Sequence, residues 1–358
     1  MKSRYRGIIF SILICCVYVS YCDCVLVGKN TNDVSVKTTE LNEFLDCSKC
    51  LMMTTVGEDI VTNVQSSLIV SDGTLEIPDK IESFFVRAIT ENAFAGNPKI
   101  RKVSLPSSVS FVKHRAFAGC SNLSSVVMHY DKVDTKSYNK GVRTIHREAF
   151  SNCVSLTNVV FSSEVCVLQE SVFQGCSSLR EIILPESVSI VSDSAFDECR
   201  ALRRVDLSMV WGDVLYLFRG CHRLEEICVS PSNETYKIYD GALYYRDCRA
   251  LVRVPPMMKG NVFVVHNGVR AICPFAFEKC GFKSVVFPEG LVCIGPQSFS
   301  SCTNLLSITI PRSVADIEEY AFVGCQNLKE VIFLGKKLPR IDPTAFLDNV
   351  KFRHETDD

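Results

Sequence analysis

Cysteine is the reactive residue that this sequence uses most, with 19 copies in 358 residues. Cys47 and Cys50 are separated by two residues, a spacing that suits a local disulfide, a thiol redox pair or half of a metal site. No second close pair follows along the chain to complete a zinc site, so a disulfide is the favoured interpretation. A thiol oxidoreductase that uses Cys47 and Cys50 is the less favoured alternative.

Eight further cysteines each stand three residues after a phenylalanine: Cys120, Cys153, Cys176, Cys199, Cys221, Cys280, Cys302 and Cys325. Such a row could be a metal or redox ladder. Thiols that recur once per repeat form a line, however, and do not converge on one ion. We therefore expect each to be a small buried hydrophobe at a tight bend, with a weak S–H donor. The sequence predicts no metal and no cofactor.

The other residue types capable of chemistry show no arrangement typical of an enzyme. The six histidines are scattered, and the sequence has neither a nucleophile elbow nor a phosphate-binding glycine loop. The formal net charge of -1 gives no attraction to a phosphate backbone. We predict a protein that is not an enzyme and does not bind nucleic acid.

These cysteines are positioned by a sequence repeat that is marked by phenylalanine. Ten phenylalanines belong to it: Phe94, Phe117, Phe150, Phe173, Phe196, Phe218, Phe277, Phe299, Phe322 and Phe346. The intervals between them are 23, 33, 23, 23, 22, 59, 22, 23 and 24 residues. Seven of the ten follow an alanine, and a leucine commonly stands six residues after the phenylalanine. Self-similarity at such a period is the signature of a solenoid.

One clean unit is the segment 177–199, SSLREIILPESVSIVSDSAFDEC. The β-branched run from Ile182 predicts a short strand that Pro185 closes, because proline cannot donate to a ladder. Val188 and Val191 supply a second apolar pair before Phe196. One coil cannot bury its apolar side alone, whereas stacked coils with strands about 4.8 Å apart bury it continuously.

The pattern AF-x-x-C-x-x-L-x-x-V-x-L-P-x-x-V-x-x-I resembles the BspA-like leucine-rich repeats of microbial surface antigens. The resemblance implies a leucine-rich-repeat solenoid: a curved right-handed superhelix with a parallel β-sheet on the concave face and short strands, turns or helical segments on the convex side. It also implies a secreted or cell-surface protein that binds host or neighbouring-cell proteins and serves in adhesion.

The sequence divides into four parts. Residues 1–22 have the layout of a signal peptide, with an uncleaved anchor as the alternative, and we expect no stable membrane span after cleavage. Residues 23–74 are predicted to form an N-terminal cap and 75–346 the repeat array, with insertions near 130–141 and 230–262. An Asp240-Gly241 turn between β-prone flanks predicts a hairpin in the second insertion. Residues 347–358 are predicted to be a polar tail.

The candidate recognition surface is the outward side of the predicted strands, which includes Val127, Asn158, Val160, Glu181, Ile183, Arg204 and Asp206. Its valines and isoleucine would form an apolar stripe typical of a protein interface, although β-propensity alone would place the same residues there. Trp211, Tyr236 and Tyr239 are a second candidate, unless they pack onto the body. Two triplets could carry glycans, and Asn233 is expected to be more accessible than Asn122.

Two functions are consistent with this pattern. The first is recognition of an extracellular or surface protein, with adhesion as its outcome. The alternative is a structural component of a coat or matrix that self-associates.

Overall fold

The computed structural model describes residues 53–56, 59–62, 72–81, 84–130 and 141–354. These residues belong to the unit Lys49–Asp358 and contain 27 β-strands. Within the described ranges there is no helix. The predicted short strands and turns are confirmed, whereas the helical segments allowed on the convex side are wrong. The connection after Pro185 contains Val188, Ile190 and Val191, whose branched side chains favour a second short strand over a helix.

One set of strands, the front strands, contains most of the longer ones: β3 (Thr74–Glu76), β6 (Lys102–Leu105), β8 (Ser125–Met128), β10 (Asn158–Val160), β12 (Glu181–Ile183), β14 (Arg204–Asp206), β15 (Glu226–Cys228), β19 (Val262–Val264), β21 (Ser284–Val286), β23 (Ser307–Ile310), β25 (Glu330–Phe333) and β27 (Lys351–His354). They form four parallel ladders, β3-β6-β8-β10, β12-β14-β15, β19-β21 and β23-β25-β27.

The rear strands alternate with the front strands along the chain: β5 (Phe84–Ile89), β7 (Phe111–Val112), β9 (Thr144–Ile145), β11 (Val167–Leu168), β13 (Ile190–Val191), β18 (Ala250–Arg253), β20 (Ala271–Ile272), β22 (Cys293–Ile294), β24 (Asp316–Ile317) and β26 (Arg340–Ile341). They form parallel ladders from β5 to β13 and from β18 to β26. Nearly every turn of chain thus adds one strand to the front and one to the rear, which makes a β-solenoid. The turn between β14 and β15 is described throughout and adds a front strand only.

The remaining strands lie at the start of the array and in the second insertion. β1 (Met53–Val56) and β2 (Asp59–Thr62) form an antiparallel hairpin that continues the rear ladder through β5, and β4 (Lys80–Ile81) pairs with β5. β16 (Tyr236–Tyr239) and β17 (Ala242–Tyr245) form the hairpin predicted at Asp240-Gly241, and β17 pairs with β18. The embellished coil therefore stays within the stack.

The phenylalanines of the repeat form two continuous stacks inside the solenoid. Successive rings from Phe94 to Phe218, and again from Phe277 to Phe346, have centroids 4.5–6.3 Å apart and planes within 10° of parallel. The backbone N–H of Phe117 donates to the carbonyl of Ala149 in the next coil, and Phe299 donates to Ala321 in the same way. The predicted shared interior is confirmed.

The eight repeat cysteines also have the predicted place. All are buried free thiols, and each Sγ donates to a backbone carbonyl of the preceding coil at 2.9–3.6 Å. In seven cases that carbonyl belongs to the repeat phenylalanine, as in the bond from Cys199 to Phe173. We call this row of thiols the cysteine ladder.

The coil that carries the hairpin departs from the repeat. Val254 takes the place of the phenylalanine, because its N–H donates to Ala276 and its carbonyl accepts the thiol of Cys280. Arg253 takes the place of the alanine and is only 3% exposed. Its guanidinium contacts Glu278 at 3.3 Å and donates to the carbonyls of Phe275 and Phe218. A buried ion pair thus stands where the phenylalanine stack is interrupted.

The structure differs from the predicted polar tail over residues 351–354. These residues form β27, which pairs in register with β25. Phe352 takes the inward position of this strand and packs edge-on against Phe333 and Phe346. No further described coil covers it, so it remains 49% exposed.

Candidate protein-binding surface

The outward side of the front strands, which we call the front face, has two rows of side chains. In each front strand the middle residue of the repeat points inward, as Ile182 does at 1% exposure, and its two neighbours point outward. The first row is Thr74, Lys102, Ser125, Asn158, Glu181, Arg204, Glu226, Val262, Ser284, Ser307, Glu330 and Lys351. The second row is Glu76, Ser104, Val127, Val160, Ile183, Asp206, Cys228, Val264, Val286, Thr309, Ile332 and Arg353.

The second row exposes branched apolar side chains. Val160 is 45% exposed, Ile183 is 56% exposed, and Val127 is half-buried beside Val160, its partner in the register. The register that the sequence predicts for these residues is confirmed. The stripe crosses a break in the ladder, because β10 and β12 are not hydrogen-bonded to each other.

Charged residues occupy the middle of the front face. Arg204 lies between two carboxylates, with Nη1 2.9 Å from Glu181 Oε1 and Nε 3.2 Å from Glu226 Oε2. Asp206 accepts from the backbone N–H of Ser208 at 2.9 Å. This region separates two apolar areas and is itself acidic, because Glu181, Glu226 and Asp206 outnumber the single Arg204.

The second apolar area lies on β19 and β21, and its β19 residues were missed by the sequence reasoning. Val262 and Val264 are 54% and 60% exposed, and Val264 is paired in register with Val286, which is 47% exposed. The insertion hid this strand because no phenylalanine precedes it. A usable signal was present, since Val254 precedes the inward Phe263 by the same nine residues that separate Phe196 from Val205.

The three aromatic candidates differ in their exposure and in the face on which they lie. Tyr239 is 42% exposed, and its ring lies 4.7 Å from that of His266, which follows Val264 by two residues. Tyr236 is buried, and its hydroxyl donates to the carbonyl of Gly212 at 2.8 Å, so it packs onto the body, the alternative that the sequence left open. Trp211 is exposed, but its backbone N–H donates to Ser189 next to the rear strand β13, away from the front face.

The two glycosylation triplets have the reverse of the expected accessibility. Asn233 is 1% exposed, and its Nδ2 donates to the carbonyls of Ser208 and Val210. Its Oδ1 accepts from two backbone N–H groups, so this side chain serves the turn before the hairpin. Asn122 is exposed, with Nδ2 2.8 Å from the carbonyl of Pro98.

Several sequence candidates lie outside the described residues, namely Cys47, Cys50 and the segment 1–22. Among the residues that the structure describes, no group of His, Cys, Asp and Glu is arranged to hold a metal ion. The same part of the chain contains no helix long and apolar enough to cross a bilayer.

Parallel front and rear strands, a phenylalanine core and a short repeat define a leucine-rich-repeat solenoid. The family described as "BspA type Leucine rich repeat region" matches in six copies over residues 73–142, 143–254 and 259–354. The chain therefore belongs to the BspA-type leucine-rich-repeat family, and the resemblance seen in the sequence is confirmed. No curated protein matches the sequence.

Three bacterial proteins are among the solved structures with similar folds. A leucine rich cell surface protein from Faecalibacterium prausnitzii is 22% identical, with a TM-score of 0.56 over 86% of this chain and 96% of that one. The pneumococcal vaccine antigen PcpA is 21% identical, with a TM-score of 0.56 over 85% and 76%. A leucine-rich repeat protein from Bacteroides ovatus is 22% identical, with a TM-score of 0.55 over 86% and 78%. At these identities the likeness shows a shared fold.

Proposed function

We infer that this chain is a secreted or cell-surface protein that binds another protein through its front face and serves in adhesion to host or neighbouring cells. One observation carries the inference: the second row exposes Val160, Ile183, Val264 and Val286 to between 45% and 60% of their surface. Apolar side chains in a patch with a polar border are typical of protein-binding sites.

Membership in the BspA-type family supports this function, because leucine-rich-repeat proteins are generally non-enzymatic and bind protein ligands. The signal-peptide layout of residues 1–22 supports passage out of the cytoplasm. The burial of the cysteine ladder also supports a binding role, since thiolate chemistry requires an accessible sulfur with a low pKa.

The test is a binding measurement with surface proteins of the cells that the protein meets. Partners captured by the purified chain are identified by mass spectrometry, and their affinity is then measured with purified components. We expect Val264→Lys/Val286→Lys to weaken binding at least about tenfold, because two lysines must be desolvated at the interface. The pair Val127→Lys/Ile183→Lys tests the other apolar area.

The matched control is Val292→Lys, which places the same change at a residue 39% exposed next to the rear strand β22. All variants should keep the wild-type melting temperature, since substitutions at exposed positions rarely change stability by more than about 0.5 kcal/mol. Binding that both front-face pairs leave unchanged rejects the front face as the recognition surface.

A further inference from the structure

The rear strands of the first half of the array carry a basic surface. In β9 the positions open to solvent are those of Arg143, Thr144 and His146, on either side of the inward Ile145. Over β5, β7, β9, β11 and β13 the corresponding positions hold four basic side chains, Arg87, Lys113, Arg143 and His146. All of these positions are described by the structure, and none of them holds Asp or Glu. We call this surface the rear patch.

The rear strands of the second half have a different charge pattern. From β18 to β26 the same positions hold three basic side chains and three acidic ones, namely Arg249, Arg270, Arg340, Asp316, Glu318 and Asp342. Two of them, Asp316 and Arg340, form an ion pair at 2.7 Å. The fold therefore does not require an excess of basic side chains on its rear strands, and the rear patch belongs to the first half alone.

The strands of the rear patch form one hydrogen-bonded ladder, so the spacing of their side chains is known. Lys113 and His146 hold the same position of adjacent strands, which lie about 4.8 Å apart. Arg87 and Arg143 hold the same position two strands apart, at about 10 Å, and Lys113 stands three residues further along its strand, again at about 10 Å. The rear patch thus groups its basic residues over a short distance in both directions.

Two phenylalanine rings hold cations of this region in place. Lys113 Nζ lies 4.8 Å from the centre of the Phe111 ring. Lys80 Nζ and Arg87 Cζ lie 4.2 Å and 4.9 Å from the centre of the Phe85 ring. A cation above an aromatic ring keeps its charge and has less conformational freedom to lose when a ligand binds. The rear patch is therefore partly preorganised for an anion.

Carboxylates border the rear patch without neutralising its centre. Glu148 and Glu170 lie on the bend that follows the rear strands, where they contact Arg147 Nε at 3.1 Å and 3.6 Å. Lys113 and Arg143 form no ion pair with any residue that the structure describes. Their charges are therefore available to a ligand.

The other side chains of the rear patch indicate what kind of anion it fits. Ser110, Thr144 and Ser192 present hydroxyl groups at the same outward positions, and these can donate and accept hydrogen bonds. The apolar members, such as Val167 and Ile190, are half-buried. A protein interface needs an apolar centre and a bilayer surface needs apolar side chains that insert, so a hydrophilic polyanion fits this surface better than either.

We propose that the rear patch binds a sulfated polysaccharide, with Lys113 and His146 sharing one sulfate group while Arg87 and Arg143 contact others. A sulfate ester has three terminal oxygens, so it can accept hydrogen bonds from two neighbouring strands at once, and its charge strengthens each of them. The hydroxyl groups of the rear patch then meet the hydroxyl groups of the sugar. The proposal goes beyond the proposed function and does not depend on it, because it concerns the rear strands and another class of ligand.

The test measures the affinity of the full chain for three polymers with one backbone: dextran sulfate, carboxymethyl-dextran and unmodified dextran. We expect dextran sulfate to bind more tightly than the other two, with an affinity that falls as salt screens the charges. Lys113→Glu/Arg143→Glu should raise the Kd for dextran sulfate at least about tenfold. The matched control, Arg249→Glu/Arg270→Glu, changes the net charge equally on rear strands of the second half. It should keep the Kd within about twofold, since screened charges outside the rear patch contribute little.

A milder pair, Lys113→Gln/Arg143→Gln, removes the two charges without adding new ones and should weaken binding by a smaller factor. An unchanged melting temperature for each variant shows that the loss does not come from unfolding. A wild-type Kd for dextran sulfate above about 1 mM would overturn the proposal. Equal losses in the rear-patch pair and its control, or equal affinity for carboxymethyl-dextran, would do the same. Binding to vesicles that contain phosphatidylserine, without binding to dextran sulfate, would assign the rear patch to a membrane surface and also reject the proposal.

Discussion

At the scale of single residues, the cysteine ladder shows how a reactive side chain can serve packing. Each thiol is buried against the preceding coil and donates to a carbonyl there. Burial raises the pKa of Cys120 to about 11 and the pKa of Cys176 and Cys221 to about 12, because the thiolate loses its hydration. This role could be predicted from sequence, since the spacing alone places the sulfurs in a row.

We expect the cysteine ladder to resist alkylation until the chain unfolds. At pH 9 about half or more of an ordinary thiol is ionised and reacts with iodoacetamide. In the ladder the raised pKa keeps the thiols protonated, and their burial blocks access. Mass spectrometry of the native protein should show label on the exposed Cys166 and none on Cys120, Cys176 or Cys221. Denaturation in urea should expose all of them. Native labelling of the ladder at the rate of Cys166 would contradict the burial.

At the scale of one coil, the sequence predicts which side chains point inward. This prediction fails in the coil where other residue types replace the alanine and phenylalanine of the repeat. Glu181 and Ile183 are exposed and Phe196 is fully buried, as the period requires. Val254 and Arg253 could not be recognised, because a valine and an arginine replace the phenylalanine and alanine that mark the frame. Only the hydrogen bonds of neighbouring coils reveal that the positions are equivalent.

Phe196→Ala should lower the free energy of unfolding by about 3–5 kcal/mol, because it leaves a cavity between Phe173 and Phe218. Glu181→Ala in the same stretch of chain should change it by less than about 0.5 kcal/mol, since its contact with Arg204 is solvent-exposed. Urea denaturation monitored by circular dichroism measures both. Similar losses for the two variants would be inconsistent with the observed register.

At the scale of the whole described array, the interior consists of two hydrophobic clusters. The first extends from Leu75 to Ile227 and the second from Ala242 to Ala345, with a few residues of the hairpin coil reaching into each. The sequence predicts a continuous solenoid here but not this division, because the division follows from the missing phenylalanine and the Arg253–Glu278 ion pair.

Unfolding should therefore separate into two transitions when the junction is weakened. Arg253→Ala leaves Glu278 buried without its partner, a change that costs about 3–5 kcal/mol in comparable cases. Differential scanning calorimetry should show two resolved peaks for this variant, since a repeat array is only as cooperative as its weakest interface. Arg249→Ala removes an exposed contact with Asp247 and is the control, expected to melt like wild type. A single unchanged peak for Arg253→Ala would argue that the two clusters unfold as one.

The bond from each repeat thiol to the carbonyl of the coil before it has a consequence for how such a protein can change in evolution. Nearly every unit supplies one thiol donor to the preceding unit and one carbonyl acceptor to the following unit. When a whole unit is duplicated or deleted in the gene, the units that become neighbours can therefore form the same hydrogen bond. The length of the protein can thus vary in steps of one unit without a new kind of contact.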